Sequence, residues 1–206
     1  MKLRLLFAAT ILIAGAITSS AAPFTNGSFE NGTDPGVFSN LPSGSTAITG
    51  WVVGGAGGVD YIGTYWQAAD GTRSLDLDGT SAGSISQTFD TVINMPYLVT
   101  FSLAGNPAGA PSIKTLNVSA GATTTPYSFN TAGATTSNMN WAPETFSFIA
   151  TGASTTLTFA STTDGSFGPA LDNVGVSVAM PEPGTSAMLI SGLVLGITGL
   201  IRRKRA

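Results

Sequence analysis

The sequence predicts an all-β domain, an antiparallel β-sandwich or jelly roll, flanked by an N-terminal signal helix and a C-terminal transmembrane helix. Three observations carry this reading. Short runs in the middle of the chain alternate apolar and polar residues with period two. Segments rich in Gly, Pro and Asn separate those runs. An uncharged apolar stretch lies near each terminus.

At the start, Lys2 and Arg4 precede an apolar run from Leu5 to Ile17, and the small residues Thr18-Ser19-Ser20-Ala21-Ala22 follow. A positive segment, a short apolar run and small residues in that order are the marks of a secretory signal peptide, here residues 1–21. Cleavage after Ala21 satisfies a small-x-small rule with Ser19.

Residues 22–180 are expected to form the sandwich. Leu75 and Leu77 alternate with Ser74, Asp76 and Asp78; Tyr97, Val99, Phe101 and Leu103 alternate with Leu98, Thr100 and Ser102. The same period recurs at Phe146 and Phe148, at Leu157 and Phe159, and at Val174, Val176 and Val178. Each run fits a strand with one face in a core. The separators 54–58, 105–111, 121–126 and 164–169 mark off about eight to ten strands, with no amphipathic helix before Met180. That spacing suits two antiparallel sheets packed face to face.

After the domain comes Pro181-Glu182-Pro183, then an uncharged stretch from Thr185 to Ile201, then Arg202-Arg203-Lys204-Arg205. As a helix, residues 185–201 reach roughly 26 Å, enough for a bilayer core. The four cations are expected to stay on the cytoplasmic side and so place the domain outside.

Composition excludes several chemistries. The chain has no Cys and no His, so disulfides, thiolate or imidazole metal sites and His-based triads are impossible. Between the terminal segments only Arg73 and Lys114 are basic, against ten acidic residues, which leaves the domain at about −8. Such a surface is wrong for nucleic acid and better suited to a hard cation. Lys114 lies on a Thr/Val strand, and nothing in the sequence supports a Ser-Lys pair there.

Among the aromatic residues, Trp51, Tyr65, Trp66 and Trp141 could stack on sugar rings. Trp51, beside Val52-Val53, is expected in the core. Tyr65 and Trp66 lie near Gly63 and Gly71, so Trp66 is expected either as an exposed platform or packed in the core, with Asp60 and Gln67 as hydrogen-bonding groups for hydroxyls or simply solvated at the surface. Asp172 shares alternation parity with Val174, Val176 and Val178, the inward set. A carboxylate there must be paired, for example with Arg73, or bulged out, or bound to a metal.

Two ordered sets of motifs resemble known families. The Pro181-Glu182-Pro183, apolar and basic series resembles the PEP-CTERM sorting signal over residues 181–206. That resemblance implies an exosortase as processing partner in a Gram-negative envelope, after signal peptidase. Asn26-Gly27-Ser28-Phe29-Glu30, Gly71-Thr72-Arg73-Ser74-Leu75-Asp76-Leu77, Leu103-Ala104-Gly105-Asn106-Pro107 and Leu171-Asp172-Asn173-Val174 resemble the choice-of-anchor C family. They are also similar to a domain-of-unknown-function family of plant cell-wall proteins and, more distantly, to galactose-binding-like carbohydrate-binding modules. The likeness implies a non-catalytic jelly roll at the cell surface or in the extracellular matrix. It also implies affinity for polysaccharide, such as an exopolysaccharide, and one structural Ca2+ at Glu30 and Asp172. Asn173 stands where many such modules carry a second Asp. A purely structural or adhesive surface protein and an envelope glycoside hydrolase remain the alternatives on these residues.

Overall fold

A computed structural model describes residues 23–179 of the chain. The signal segment, the Pro181-Glu182-Pro183 motif, the 185–201 stretch and the basic tail lie outside the described residues. Eleven strands account for the domain: β1 (Phe38–Leu41), β2 (Val52–Gly55), β3 (Val59–Ile62), β4 (Ser74–Asp76), β5 (Gly83–Asp90), β6 (Pro96–Gly105), β7 (Ile113–Ala120), β8 (Thr123–Asn130), β9 (Ala142–Ile149), β10 (Ser154–Ser161) and β11 (Pro169–Val178). One sheet runs β1-β3-β4-β11-β6-β9 and the other β2-β5-β10-β7-β8. Every strand pairing is antiparallel. No helix occurs among the described residues. The all-β jelly roll expected from the alternation is therefore the fold found.

Strand alternation decides what enters the core. Val99, Phe101 and Leu103 of β6, Leu116 and Val118 of β7, and Leu157 and Phe159 of β10 are all buried between the sheets. Trp51 joins them, as its apolar neighbours suggest. Its indole N–H donates to the Asn26 carbonyl at 2.9 Å, and Phe24 packs edge-on at 5.7 Å. Burial of each large apolar side chain contributes about 1.5–3 kcal/mol.

Two expectations change in detail. The count rises to eleven because β1, β2 and β3 are four residues each, too short to show a period. The segment 121–126 is mostly strand. Only Gly121-Ala122 turn between Ala120 and Thr123, with Gly121 at φ 59 as a primed two-residue hairpin requires. Pro126 is tolerated in β8 because β8 is an edge strand, paired only with β7.

Candidate functional site

The face of the six-stranded sheet that points away from the core is not bare. Ile62 of β3, Ala104 of β6 and Ala170 of β11 form a second apolar cluster with Trp66 and Met139, which arrive on connecting loops. Trp66 is therefore not the exposed platform the sequence suggested. It is 4% exposed, and its indole N–H donates to Ser74 Oγ at 2.7 Å. Ser74 alternates with the core residue Leu75, so it presents its hydroxyl on this outer face.

Beside that cluster opens a cleft of ≈ 300 Å³, walled by Phe38, Tyr65 and Phe167 and carrying the polar groups of Asn40, Asp60 and Asn106. The Phe38 and Tyr65 rings lie 5.5 Å apart at a tilt of 58°. Asn40 Nδ2 donates to Asp60 Oδ1 at 3.0 Å across the β1–β3 pair. Burial pushes the Asp60 carboxyl above its usual range, with the Asn40 hydrogen bond opposing. Two of the four expected sugar-contact residues, Tyr65 and Asp60, thus meet in one cleft.

Gln67 lies elsewhere. It lines a second, more polar cleft of ≈ 570 Å³ with Ser102, Asn138, Asn140 and Trp141. The Trp141 indole donates to the Gln67 carbonyl at 2.9 Å, which ties this wall together.

Behind the first cleft is a polar network that sequence reasoning missed. Asp76 and Asp78, which alternate with Leu75 and Leu77 in the sequence, are both 0% exposed. Asp76 Oδ1 accepts the N–H groups of Asp78 and Gly168, and Oδ2 accepts Asn106 Nδ2 at 2.8 Å. Asn106 Oδ1 accepts the Ala108 N–H, so this cleft residue is held at both ends of its amide. Neither carboxylate oxygen of Asp78 has a hydrogen-bond partner. Lys114, also fully buried, donates to the carbonyls of Gly109 and Phe167. Burial pushes Asp76 up to about 7 and Asp78 up to about 6. It lowers Lys114, against the opposing pull of the two carboxylates. The only sequence trace of this network is a lone lysine in the alternation of β7, at the parity of Leu116 and Val118.

Glu30 and Asp172, the expected calcium ligands, grip successive residues of one loop. Glu30 Oε1 accepts the N–H groups of Thr72 and Arg73, both at 2.7 Å, and Oε2 accepts the Thr72 hydroxyl. Burial raises the Glu30 carboxyl, but these hydrogen bonds and the Arg73 charge outweigh it and leave it below its ordinary value. Asp172 Oδ2 accepts the N–H groups of Ala69 and Asp70, and Oδ1 that of Asn173. Burial still carries Asp172 up to about 7.

The inward parity expected for Asp172 is wrong. The pairing of β11 with β6 slips by one residue between Asp172 and Gly175, so Leu171 and Val174 both face the core while Asp172 faces the 69–70 loop. Arg73 does not pair with Asp172. Its guanidinium donates to the Tyr61 hydroxyl and the Gly32 carbonyl and lies 3.9 Å from Asp34.

The two carboxylates are hard oxygen donors, and Glu30 Oε2 and Asp172 Oδ1 each accept one hydrogen bond, so both keep a lone pair for a cation. Among the described residues no group of three or more acidic side chains could hold a metal, so an ion here would draw its remaining ligands from backbone oxygens and water.

The first and last resemblance motifs are in contact. The Val174 N–H donates to the Gly27 carbonyl, and a Cβ on Gly27 would run into the Val174 carbonyl oxygen. Asn26 bridges the carbonyls of Asn31 and Thr49 through Nδ2.

Comparison with known proteins agrees with this architecture. The profile of a family described as "Protein of unknown function (DUF642)" matches residues 22–177. Halomucin of Haloquadratum walsbyi is 32% identical over 180 residues, which is 81% of this chain and 2% of Halomucin, so the chain spans a small fraction of that relative. Among solved structures, TmCBM61 in complex with β-1,4-galactotriose superposes with a TM-score of 0.50 at 17% identity, covering 77% of this chain and 99% of that one. A family 35 carbohydrate binding module from Clostridium thermocellum gives 0.47 at 12% identity, covering 68% and 99%. At these identities the likeness is one of fold.

Proposed function

The chain belongs to the DUF642 family, and from that premise we propose that its sandwich is a non-catalytic carbohydrate-binding domain of an exported protein. The observation that carries the proposal is the cleft walled by Phe38, Tyr65 and Phe167 with Asp60, Asn40 and Asn106 among its lining. Aromatic walls suit the apolar faces of a pyranose, and the carboxylate and amides suit its hydroxyls. The fold it shares with TmCBM61, solved with a galactotriose, makes β-linked oligosaccharides the natural first probes.

The domain acts outside the cell, at the surface or in the matrix. The 1–21 segment directs export, signal peptidase removes it, and an exosortase acts near Pro181-Glu182-Pro183 while residues 185–201 hold the precursor in the membrane. Glu30 and Asp172 take one structural Ca2+, which would fasten the 69–73 loop that both carboxylates already hold. A chelator should then lower the melting midpoint of the metal-loaded protein, and Glu30→Gln should remove that shift. An identical midpoint with and without chelator rejects the ion.

Binding itself is tested on a glycan array with the purified full chain, followed by titration of any hit. Tyr65→Ala should weaken that hit by about tenfold, a loss of about 1.4 kcal/mol, with a melting curve showing that the variant still folds. A glycan bound with full affinity by Tyr65→Ala and Phe38→Ala together would place recognition outside this cleft.

A further inference from the structure

The cleft contains a charge that no cation among the described residues balances. Asp60 is its one titratable carboxylate, half-buried on the wall, with the neutral Asn40 amide as its hydrogen-bond partner. The domain has two cations, and both are spent elsewhere. Arg73 is committed to Tyr61, Gly32 and Asp34, and Lys114 is fully buried on two carbonyls. Asp76 sits directly across the β3–β4 pair from Asp60, and Lys114 behind the cleft is faced by both Asp76 and Asp78, so it supplies no free positive charge to Asp60. Among the described residues, no Lys or Arg lines the cleft.

A partly desolvated carboxylate without a counter-charge favours a ligand that brings one. A uronate would meet like charge, and a neutral sugar would offer only hydroxyl hydrogen bonds. We propose that the cleft selects a sugar bearing a free amine, with Asp60 receiving the ammonium while Phe38 and Tyr65 hold the ring. This rests on the carbohydrate-binding reading above and names the chemical class of its ligand.

The test compares short chitosan oligomers, the same oligomers after N-acetylation, and oligogalacturonates, each titrated into the full chain. Chitosan should bind about tenfold tighter than its acetylated form, with oligogalacturonate weakest. The advantage should shrink as salt is raised, because the pair is only half-buried. Asp60→Asn should bring the chitosan-to-acetylated ratio close to one, with a melting curve to show that the variant folds. Equal affinity for the amine and the acetylated form would overturn the amine preference and leave sugar binding intact. A preference that survives Asp60→Asn would also overturn it, because the general acidic surface would then be responsible. Failure of all three probes to bind would overturn this inference together with the sugar-binding reading for these classes.

Discussion

Trp51 and Trp66 show what a single residue does and does not disclose. Trp51 follows Gly50 and precedes Val52-Val53, and this local apolar context is enough to place it in the core, where it lies. Trp66 sits among Gly, Gln and Ala and looks like a loop aromatic. It is buried because Ala104, Met139 and Ala170 converge on it, with nearby Ile62, from distant parts of the chain. No local pattern records that convergence. Trp66→Ala should therefore destabilise the domain by about 3–5 kcal/mol, as deletion of a large buried aromatic does. Tyr65→Ala, on the cleft wall next door, should cost less than about 1 kcal/mol. Urea unfolding of the two variants separates a packing residue from a ligand-facing one. If Trp66→Ala unfolds like the parent, the outer cluster is not a second core.

At the scale of elements, long strands were legible and irregularities were not. β6, β9 and β10 follow from alternation because each keeps one face in a continuous core. β11 defeats the same reasoning at its middle. The extra residue lies between Asp172 and Gly175, where Asn173 takes φ 50 and is exposed. A bulge reverses side-chain parity, so counting by twos from Val174 sends Asp172 to the wrong face. Asn is among the few non-glycine residues that adopt this conformation readily. Asn173→Gly should be nearly neutral, while the β-branched Asn173→Val should cost about 1–2 kcal/mol from backbone strain alone. Equal stability of the two variants would mean that the bulge relaxes into a regular ladder.

At the scale of the whole molecule, the balance of charge sets an unusual dependence on pH. The count of ten acids against two bases shows a negative domain, but it does not show that several of those acids are buried. Asp76 and Asp172 are carried up to about 7 and Asp78 up to about 6, in each case by burial above all. In the unfolded chain these groups release their protons near their ordinary value, at about 4. Between about 4 and about 7 the folded state therefore holds more protons than the unfolded state, and stability falls as pH rises through that window. Above it both states are ionised and the loss is complete. Glu30, which is lowered, works in the opposite direction, but only in the acid range below its ordinary value. The metal-free protein should accordingly show a higher urea midpoint at pH 5 than at pH 8, the reverse of ordinary acid lability. Burial makes ionisation of Asp78 costly, so Asp78→Asn should flatten the slope. A midpoint that instead rises from pH 5 to pH 8 without metal would show that these carboxylates are ionised and compensated in the folded state. Added calcium should lift the midpoint chiefly at the alkaline end, where Glu30 and Asp172 are both charged and free to hold it.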